Sequence, residues 1–328
     1  MCTNRTESAS VRVESEGRRR GMAKAAFIQK RVLLALIVLT WVVCGCCHMR
    51  RPAIVFVTEW EPGIHILNPE SGEIKKIGVH AESEIGDLDY NERRNVLAFV
   101  SGEHEALKSI YIYDFSTKRT ELFYRPASQE GSRYRPTFHP DGEHLFLIGG
   151  GSGVFEHDIS TKRWRRVEVT NTKDSLFLQI SFSKSGKRVA LTRAEFDGVL
   201  IGEMIGDTIV IRKRILDEFA YTSSPRWIGD NDIVFSASKE VGQSQSLWTI
   251  SLSDSSTRQL THDPPIRCHS WLAISKDERW IVFTGSGVSR TATTCLWLIS
   301  VDGQGLKQLT RDAEGFRGHF SPVWVEHD

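Results

Sequence analysis

One short pattern recurs along the sequence and constrains the fold more than any other feature. Each copy has an aromatic or large apolar residue, a polar turn, and then a β-branched or aliphatic run. In the clearest copy, Phe138 precedes His139-Pro140-Asp141-Gly142, where Pro sets the first corner of a tight turn and Gly tolerates its left-handed exit. We call the aromatic or apolar residue of each copy its anchor residue. The anchor residues are Tyr90, Phe138, Phe182, Trp227, Ile274 and Trp324, spaced by 48, 44, 45, 47 and 50 residues. This spacing matches the period of about 40–50 residues typical of propeller blades.

The residues that follow each turn predict further strands. Short apolar runs bounded by turn residues are typical of buried strands. The runs that predict second strands are 96–100, 145–148, 189–192, 233–236 and 281–284. Third runs follow at 110–113, 247–250 and 296–299, and two repeats close with the polar runs 258–261 and 307–310, both ending in Gln-Leu-Thr. The repeat over 193–216 is irregular, with runs at 199–202 and 207–211 and a basic outer end at 212–214. Four strands per repeat, the outermost most polar, describe one propeller blade.

The two ends of the repeat region complement each other. Residues 54–57, 64–67 and 74–77 match the second, third and fourth strands of a blade, but no first strand precedes them. Residues 321–325 match a first strand. Pairing the ends would close the ring and leave no open sheet edge. The sequence therefore predicts an all-β, six-bladed propeller of four-stranded blades over residues 53–328, with the C-terminal strand completing the N-terminal blade.

This pattern of anchor residue, polar turn, apolar strand and closing Gln-Leu-Thr resembles the TolB-like WD-repeat-type propeller family over roughly residues 53–328. The resemblance implies a propeller whose channel mouth receives a segment of a partner. The TolB protein carries an additional α/β domain ahead of its propeller, and we expect none between the N-terminal segment and residue 53.

The N-terminal 47 residues predict export. Residues 1–31 are polar and basic, and Met22 is an alternative start; the apolar run 32–43 within segment 32–47 is 12 residues long, against about 20 for a bilayer span. Val43-Cys44-Gly45-Cys46 resembles a bacterial lipoprotein signal, with lipidation at Cys46. An uncleaved membrane anchor and plain secretion are the alternatives. All three place residues 53–328 outside the cytoplasm, in the periplasm or at the cell surface.

Composition and motifs exclude several function classes. The formal net charge of +1 gives no reason to expect nucleic acid as a partner. The sequence has no Gly-x-Ser-x-Gly elbow, no phosphate-binding Gly-x-x-x-x-Gly-Lys-Ser/Thr loop and no His-Glu-x-x-His. We therefore expect a monomer without catalytic activity, cofactor or metal.

First strands line the central channel of a propeller, so residues three positions before the anchor residues should crowd one mouth. The side chains at these positions and next to them include positive and negative charges, amides, hydroxyls and aromatic rings. Such a mixture suits a protein or peptide partner. The alternative is that the groups satisfy one another and channel water. The candidate partner-binding residues are Asp87, Tyr134, Arg135, Gln179, Ser224, His269, Trp271 and Phe320, with Ser321 at the corresponding position of the last repeat.

Two metal interpretations and one disulfide remain as alternatives. Oligogalacturonate lyases are similar in fold and use a histidine-and-glutamine metal site near the channel; a carbohydrate-binding propeller is a further alternative. The candidate ligands for such a lyase are Gln179, His139, His262, His269 and His319, which lie at different distances from their anchor residues. Asp141, Asp230 and Asp277 suggest calcium, although Asp is also a turn former. Cys268 and Cys295 are either a disulfide or two buried thiols.

Overall fold

The structure is a computed structural model of the chain. It describes residues 51–58, 63–80, 84–102, 108–126, 133–149, 153–173, 176–195, 197–262, 266–286, 293–311 and 318–327. The predictions for residues 1–31, the segment 32–47, Met22 and Cys46 lie outside these residues. Within the described ranges, no helix has the length and apolar character needed to cross a membrane.

The described strands all lie in one compact unit, Arg51–His327. In chain order the first twelve are β1 (Arg51–Thr58), β2 (Ile64–Leu67), β3 (Ile74–Ile77), β4 (Ile85–Asn91), β5 (Val96–Ser101), β6 (Ser109–Asp114), β7 (Arg119–Tyr124), β8 (Arg133–Phe138), β9 (His144–Gly149), β10 (Gly153–Asp158), β11 (Trp164–Thr170) and β12 (Phe177–Phe182). The next twelve are β13 (Arg188–Arg193), β14 (Val199–Ile205), β15 (Thr208–Ile215), β16 (Tyr221–Ile228), β17 (Asp232–Ser238), β18 (Ser246–Ser251), β19 (Thr257–Gln259), β20 (Arg267–Ile274), β21 (Trp280–Ser286), β22 (Thr294–Ser300), β23 (Lys307–Gln308) and β24 (His319–His327).

The strands pair in the order that the repeat predicts. Three sheets have the simple order β4-β5-β6-β7, β16-β17-β18-β19 and β20-β21-β22-β23. The predicted all-β fold is confirmed, and this succession of antiparallel four-stranded units is that of a β-propeller. The first strands of successive units lie side by side, for example β4 beside β8 and β16 beside β20.

The irregular repeat joins two units into one sheet. The eight-stranded sheet has the order β12-β13-β14-β15-β11-β10-β9-β8, in which β11 and β15 run parallel. Residues 168–170 of β11 pair with residues 208–210 of β15. β15 is eight residues long, and its basic residues 212–214 are exposed as expected. An outer strand of this length can therefore pair with the outer strand of the preceding unit.

The ends of the described chain share one sheet, of order β24-β1-β2-β3. β24 pairs antiparallel with β1 from Arg51↔His327 to Thr58↔His319. The C-terminal strand thus occupies the first-strand position of the N-terminal unit, as the sequence predicts. β24 also packs beside both β20 and β4.

The closing Gln-Leu-Thr of two repeats has a physical role. Thr261 Oγ1 accepts a hydrogen bond from Leu247 N at 2.9 Å, and Thr310 Oγ1 accepts one from Leu296 N at 2.9 Å. In each copy the Gln side chain also donates to the carbonyl of that Thr at 2.8 Å. These bonds pin the polar outer strand to the third strand, so identical residues recur where identical bonds are made.

The core lies between the sheets, and its five largest fully buried side chains among the described residues, all phenylalanines, come from second strands. Phe56, Phe99, Phe235 and Phe283 occupy equivalent positions in β1, β5, β17 and β21, and all are fully buried. Burying an aromatic or aliphatic side chain of this size contributes about 1.5–3 kcal/mol relative to exposure. The repeated apolar runs therefore supply the packing that holds the first strands around a common centre.

Candidate functional site

The first strands share a β-bulge close to one end. Their pairing with the second strands shifts register between Gly86 and Leu88, and again at the corresponding place in the other units. A β-bulge bends the strand and turns its side chains. Four of the six residues three before the anchor residues adopt left-handed backbone conformations there, with φ of 38° at Asp87, 53° at Arg135, 51° at Ser224 and 48° at Ser321. Such a φ costs a non-glycine residue about 1–2 kcal/mol, so packing elsewhere must stabilise it.

The bulges bring most of the predicted mouth residues together. Asp87, Arg135, Gln179, Trp271 and Ser321 line a single cavity among the first strands. The volume in which the centre of a water molecule can lie is only about 30 Å³. The part of this cavity that the described residues line is therefore too small for a peptide chain.

The other predicted residues lie around this cavity in different settings. Phe320 packs against Trp271 in an edge-on contact, with ring centroids 5.2 Å apart. Tyr134 is partly buried and packs against the cores of two neighbouring sheets. The side chain of His269 lies outside the described residues.

Gln179 and Ser224 are bonded to each other across two units. Gln179 Nε2 donates to Ser224 Oγ at 3.2 Å, and Ser224 N donates to Gln179 Oε1 at 2.6 Å. Both residues are buried. Their side chains thus hold adjacent first strands in place, and the remaining mouth residues, Asp87, Arg135 and Trp271, offer the contact chemistry.

The channel is also lined by a pair of charged residues that the spacing of the anchor residues did not predict as site residues. Asp89 and Arg226 directly precede the anchor residues of β4 and β16, two residues along the strand from the mouth positions. Arg226 lines the mouth cavity, and both residues line a neighbouring cavity of the channel. The sequence does carry one indication of this pair. Side chains alternate between the two faces of a strand, so a residue two positions after a mouth residue is expected on the same face.

The channel perturbs both ionisable groups. Burial raises the pKa of Asp89 to about 6, although the Phe138 N–H, donated at 2.6 Å, and the charge of Arg226 act in the opposite direction. Burial also lowers the pKa of the Arg226 guanidinium, whereas the charge of Asp89 raises it and that of Arg135 lowers it. Desolvated charges of both signs therefore lie next to the mouth cavity.

The described lyase-type candidates lie in different settings. His139 follows the end of β8 opposite to Arg135, and His262 is exposed. His319 is buried, and its Nδ1 lies 3.0 Å from Thr294 O. Gln179 is engaged by Ser224 as described above. Among the described residues these candidates do not form a common ligand set.

The three turn aspartates accept hydrogen bonds from backbone N–H groups of their own turn or of a neighbouring turn. Asp141 Oδ1 accepts from Glu143 N at 2.7 Å, and Asp230 Oδ1 accepts from Ser185 N at 2.9 Å. Asp277 Oδ1 accepts from Arg279 N at 3.2 Å. These contacts agree with the role of Asp as a turn former.

Of the two propeller cysteines, the structure describes the side chain of Cys295. Cys295 is buried, and its Sγ lies 3.9 Å from Thr293 O. The side chain of Cys268 lies outside the described residues, so the disulfide stays a prediction.

Comparison with known proteins shows a likeness of fold. No family model matches the sequence, and no curated protein sequence matches it significantly. The structure is similar to TolB from Acinetobacter baumannii, with a TM-score of 0.66 and 16% identity over 88% of this chain and 70% of that chain. It is also similar to a TolB candidate from Agrobacterium tumefaciens, with a TM-score of 0.59 and 14% identity over 82% of this chain and 91% of that chain. A candidate 6-phosphogluconolactonase from Bacteroides uniformis has a TM-score of 0.55 and 12% identity, over 84% of this chain and 99% of that chain. The chain therefore has a TolB-like propeller fold, as the sequence pattern predicts.

Proposed function

We propose that this chain, with its TolB-like fold, is a non-catalytic binding or scaffolding module of the cell envelope. Its mouth recognises a protein or peptide partner. The observation that carries this proposal is the convergence of Asp87, Arg135 and Trp271 at one end of the channel. An Arg guanidinium binds carboxylates in a bidentate manner, and an aromatic ring supplies apolar contact area. The left-handed bulges at Asp87 and Arg135 support it further, because backbone strain of this kind clusters at binding sites.

The proposed architecture is a closed ring of six blades. The pairing of β24 with β1, and the contacts of β24 with both β20 and β4, support closure at the chain ends. The parallel pairing of β11 with β15 is then a link between the second and third full blades and not a separate sheet. A closed ring fixes all six first strands around one channel, which is what a mouth built from six strands requires.

The proposed location is outside the cytoplasm, attached to the membrane through the N-terminal segment. The basic residues before the apolar run 32–43 and the Cys46 sequence support export and lipidation. Metabolic labelling with a palmitate analogue should mark the wild-type protein and leave the Cys46→Ser variant unlabelled. Equal labelling of the two, or an intact N-terminus by mass spectrometry, would favour an uncleaved anchor.

The binding function is tested by a double substitution at the mouth. The Arg135→Ala/Trp271→Ala variant should lose capture of partners from an envelope extract, because it removes both the guanidinium and the aromatic surface. A matched control is Arg163→Ala/Trp164→Ala, which removes the same residue types from the exposed start of the outer strand β11 and the residue before it. The control should capture the same partners as the wild-type protein.

Three results would count against the proposal. Equal capture by the wild-type protein and the mouth variant would exclude the mouth as the binding site. Unfolding of the mouth variant but not of the control would make these side chains structural. Formation of unsaturated products from a polyuronate by the purified protein with a divalent metal ion would favour the lyase alternative, and saturable binding of a sugar would favour the carbohydrate alternative.

A further inference from the structure

A cluster of three potential metal ligands lies in the turn between β8 and β9, at the end of β8 opposite to the mouth. Asp141 Oδ2 lies 2.8 Å from His139 Nδ1 and 2.7 Å from His144 Nδ1. Among the described residues, this is the one group of three or more His, Cys, Asp or Glu side chains close enough to share an ion. All three side chains are partly exposed, so an ion can reach them from solvent.

The remaining nitrogen of each imidazole also faces an oxygen. His139 Nε2 lies 3.2 Å from Gly186 O, in the turn between β12 and β13. His144 Nε2 lies 3.5 Å from Glu156 Oε1, and Glu156 is itself held by Arg165 at 2.5 Å. A metal-binding His usually donates its second ring N–H to a carbonyl or carboxylate, which fixes the ring and directs the other nitrogen at the ion. Both histidines have this support.

The carboxylate is fixed in the same way. Asp141 Oδ1 accepts hydrogen bonds from Glu143 N at 2.7 Å and His144 N at 3.2 Å, which leaves Oδ2 directed at the two rings. The carboxylate therefore has a fixed orientation, with one oxygen turned toward both imidazoles.

The three ligand atoms lie together at one point of the turn. Asp141 Oδ2 lies within 3 Å of both Nδ1 atoms, and the Asp141 N–H is donated to His139 Nδ1 at 3.3 Å. A bound cation would replace these polar contacts by bonds to the two imidazole nitrogens and the carboxylate.

We propose that His139, Asp141 and His144 form a binding site for a divalent transition metal ion of the zinc type. Two nitrogens and one oxygen form a ligand set that zinc accepts in proteins, with a fourth position open to water. Because Gly186 belongs to the next unit, the site also joins the turns of two neighbouring units, and metal binding should stabilise that junction. The site is separate from the proposed partner-binding mouth.

The test uses the purified protein after treatment with a chelator. Zn²⁺ titrated by calorimetry should bind with one equivalent per chain, and Co²⁺ should give a visible absorption band typical of nitrogen and oxygen ligands. His144→Gln should abolish stoichiometric zinc binding, because it removes one of the three ligands. The side chain is partly exposed, so the substitution should have little effect on the core. Glu156→Gln should weaken zinc binding about 10–100-fold, because it removes only the support of a ligand.

The matched control is His80→Gln, which replaces an exposed histidine after β3. It should bind zinc like the wild-type protein. The thermal midpoints of all variants without metal should be measured. Zinc should raise the midpoint of the wild-type protein and of the control equally, raise that of Glu156→Gln less, and leave that of His144→Gln unchanged. Zinc binding that is absent from the wild-type protein, or equal in wild type and His144→Gln, would overturn the proposal.

Discussion

Removal of the C-terminal strand β24 should destabilise the whole propeller and not only the four-stranded sheet to which β24 belongs. Val323 and Val325 are buried in one core cluster, and Trp324 packs against a second cluster on the other side of the strand. Because β24 separates two cores, deletion of residues 319–328 exposes both. It also leaves β1 as an open edge, with its pairing from Arg51 to Thr58 lost.

The magnitude follows from these contacts. Each buried valine contributes about 1.5–3 kcal/mol, and loss of a packed tryptophan typically costs about 3–5 kcal/mol. Together they amount to roughly 6–11 kcal/mol before any hydrogen bond is counted, against a total stability of about 5–15 kcal/mol for a typical folded protein. The truncated chain should therefore lose its cooperative unfolding transition or aggregate.

A single substitution gives a graded version of this experiment. Val325→Ala should lower the free energy of unfolding by about 2 kcal/mol, since it removes two buried methyl groups and leaves a small cavity. Glu326→Ala, on the next and more exposed position, should change it by less than about 0.5 kcal/mol. Urea denaturation followed by tryptophan fluorescence measures both. An unchanged midpoint and slope for the truncated chain would refute the role of β24 in closing the fold.

Three further predictions concern the channel and the turns. Burial raises the pKa of Asp89 to about 6 in the folded protein. The contribution of this carboxyl to the stability of the folded state is therefore complete below about pH 4 and is lost as the pH rises through about 6. The loss amounts to roughly 3 kcal/mol. The stability difference between Asp89→Asn and wild type, measured by urea denaturation, should therefore rise by this amount from pH 4 to pH 7, and a constant difference would contradict it. Gly186→Ala should destabilise the protein more than Gly206→Ala in thermal denaturation: both have positive φ, but only at Gly186 would a Cβ meet a side chain, His139 Nε2 at 2.5 Å. Gln179→Ala should cost roughly 1–3 kcal/mol in urea denaturation, because a buried neighbour loses its two hydrogen bonds; an unchanged midpoint would show that water replaces them.

Much of the site could be predicted only as a set of positions. The spacing of the anchor residues placed Asp87, Arg135 and Trp271 three residues before their anchors, and these do line one cavity. The spacing did not predict the bulges, because it does not record the register between a first and a second strand. It also did not predict that Gln179 would be engaged by another first strand, since that depends on the orientation of its side chain.

The sequence by itself determined the class of fold, the succession of strands and the pairing of the chain ends. It could do so because strand periodicity, turn chemistry and the apolar second strands are local properties that each repeat carries on its own. Residues 64–67 and 74–77, for example, form strands with the predicted bounds. Only the tertiary structure decided the parallel pairing of β11 with β15 and the position of Asp89 and Arg226 in one channel. Those features arise between repeats, where the contacts join residues dozens of positions apart and no local pattern records them.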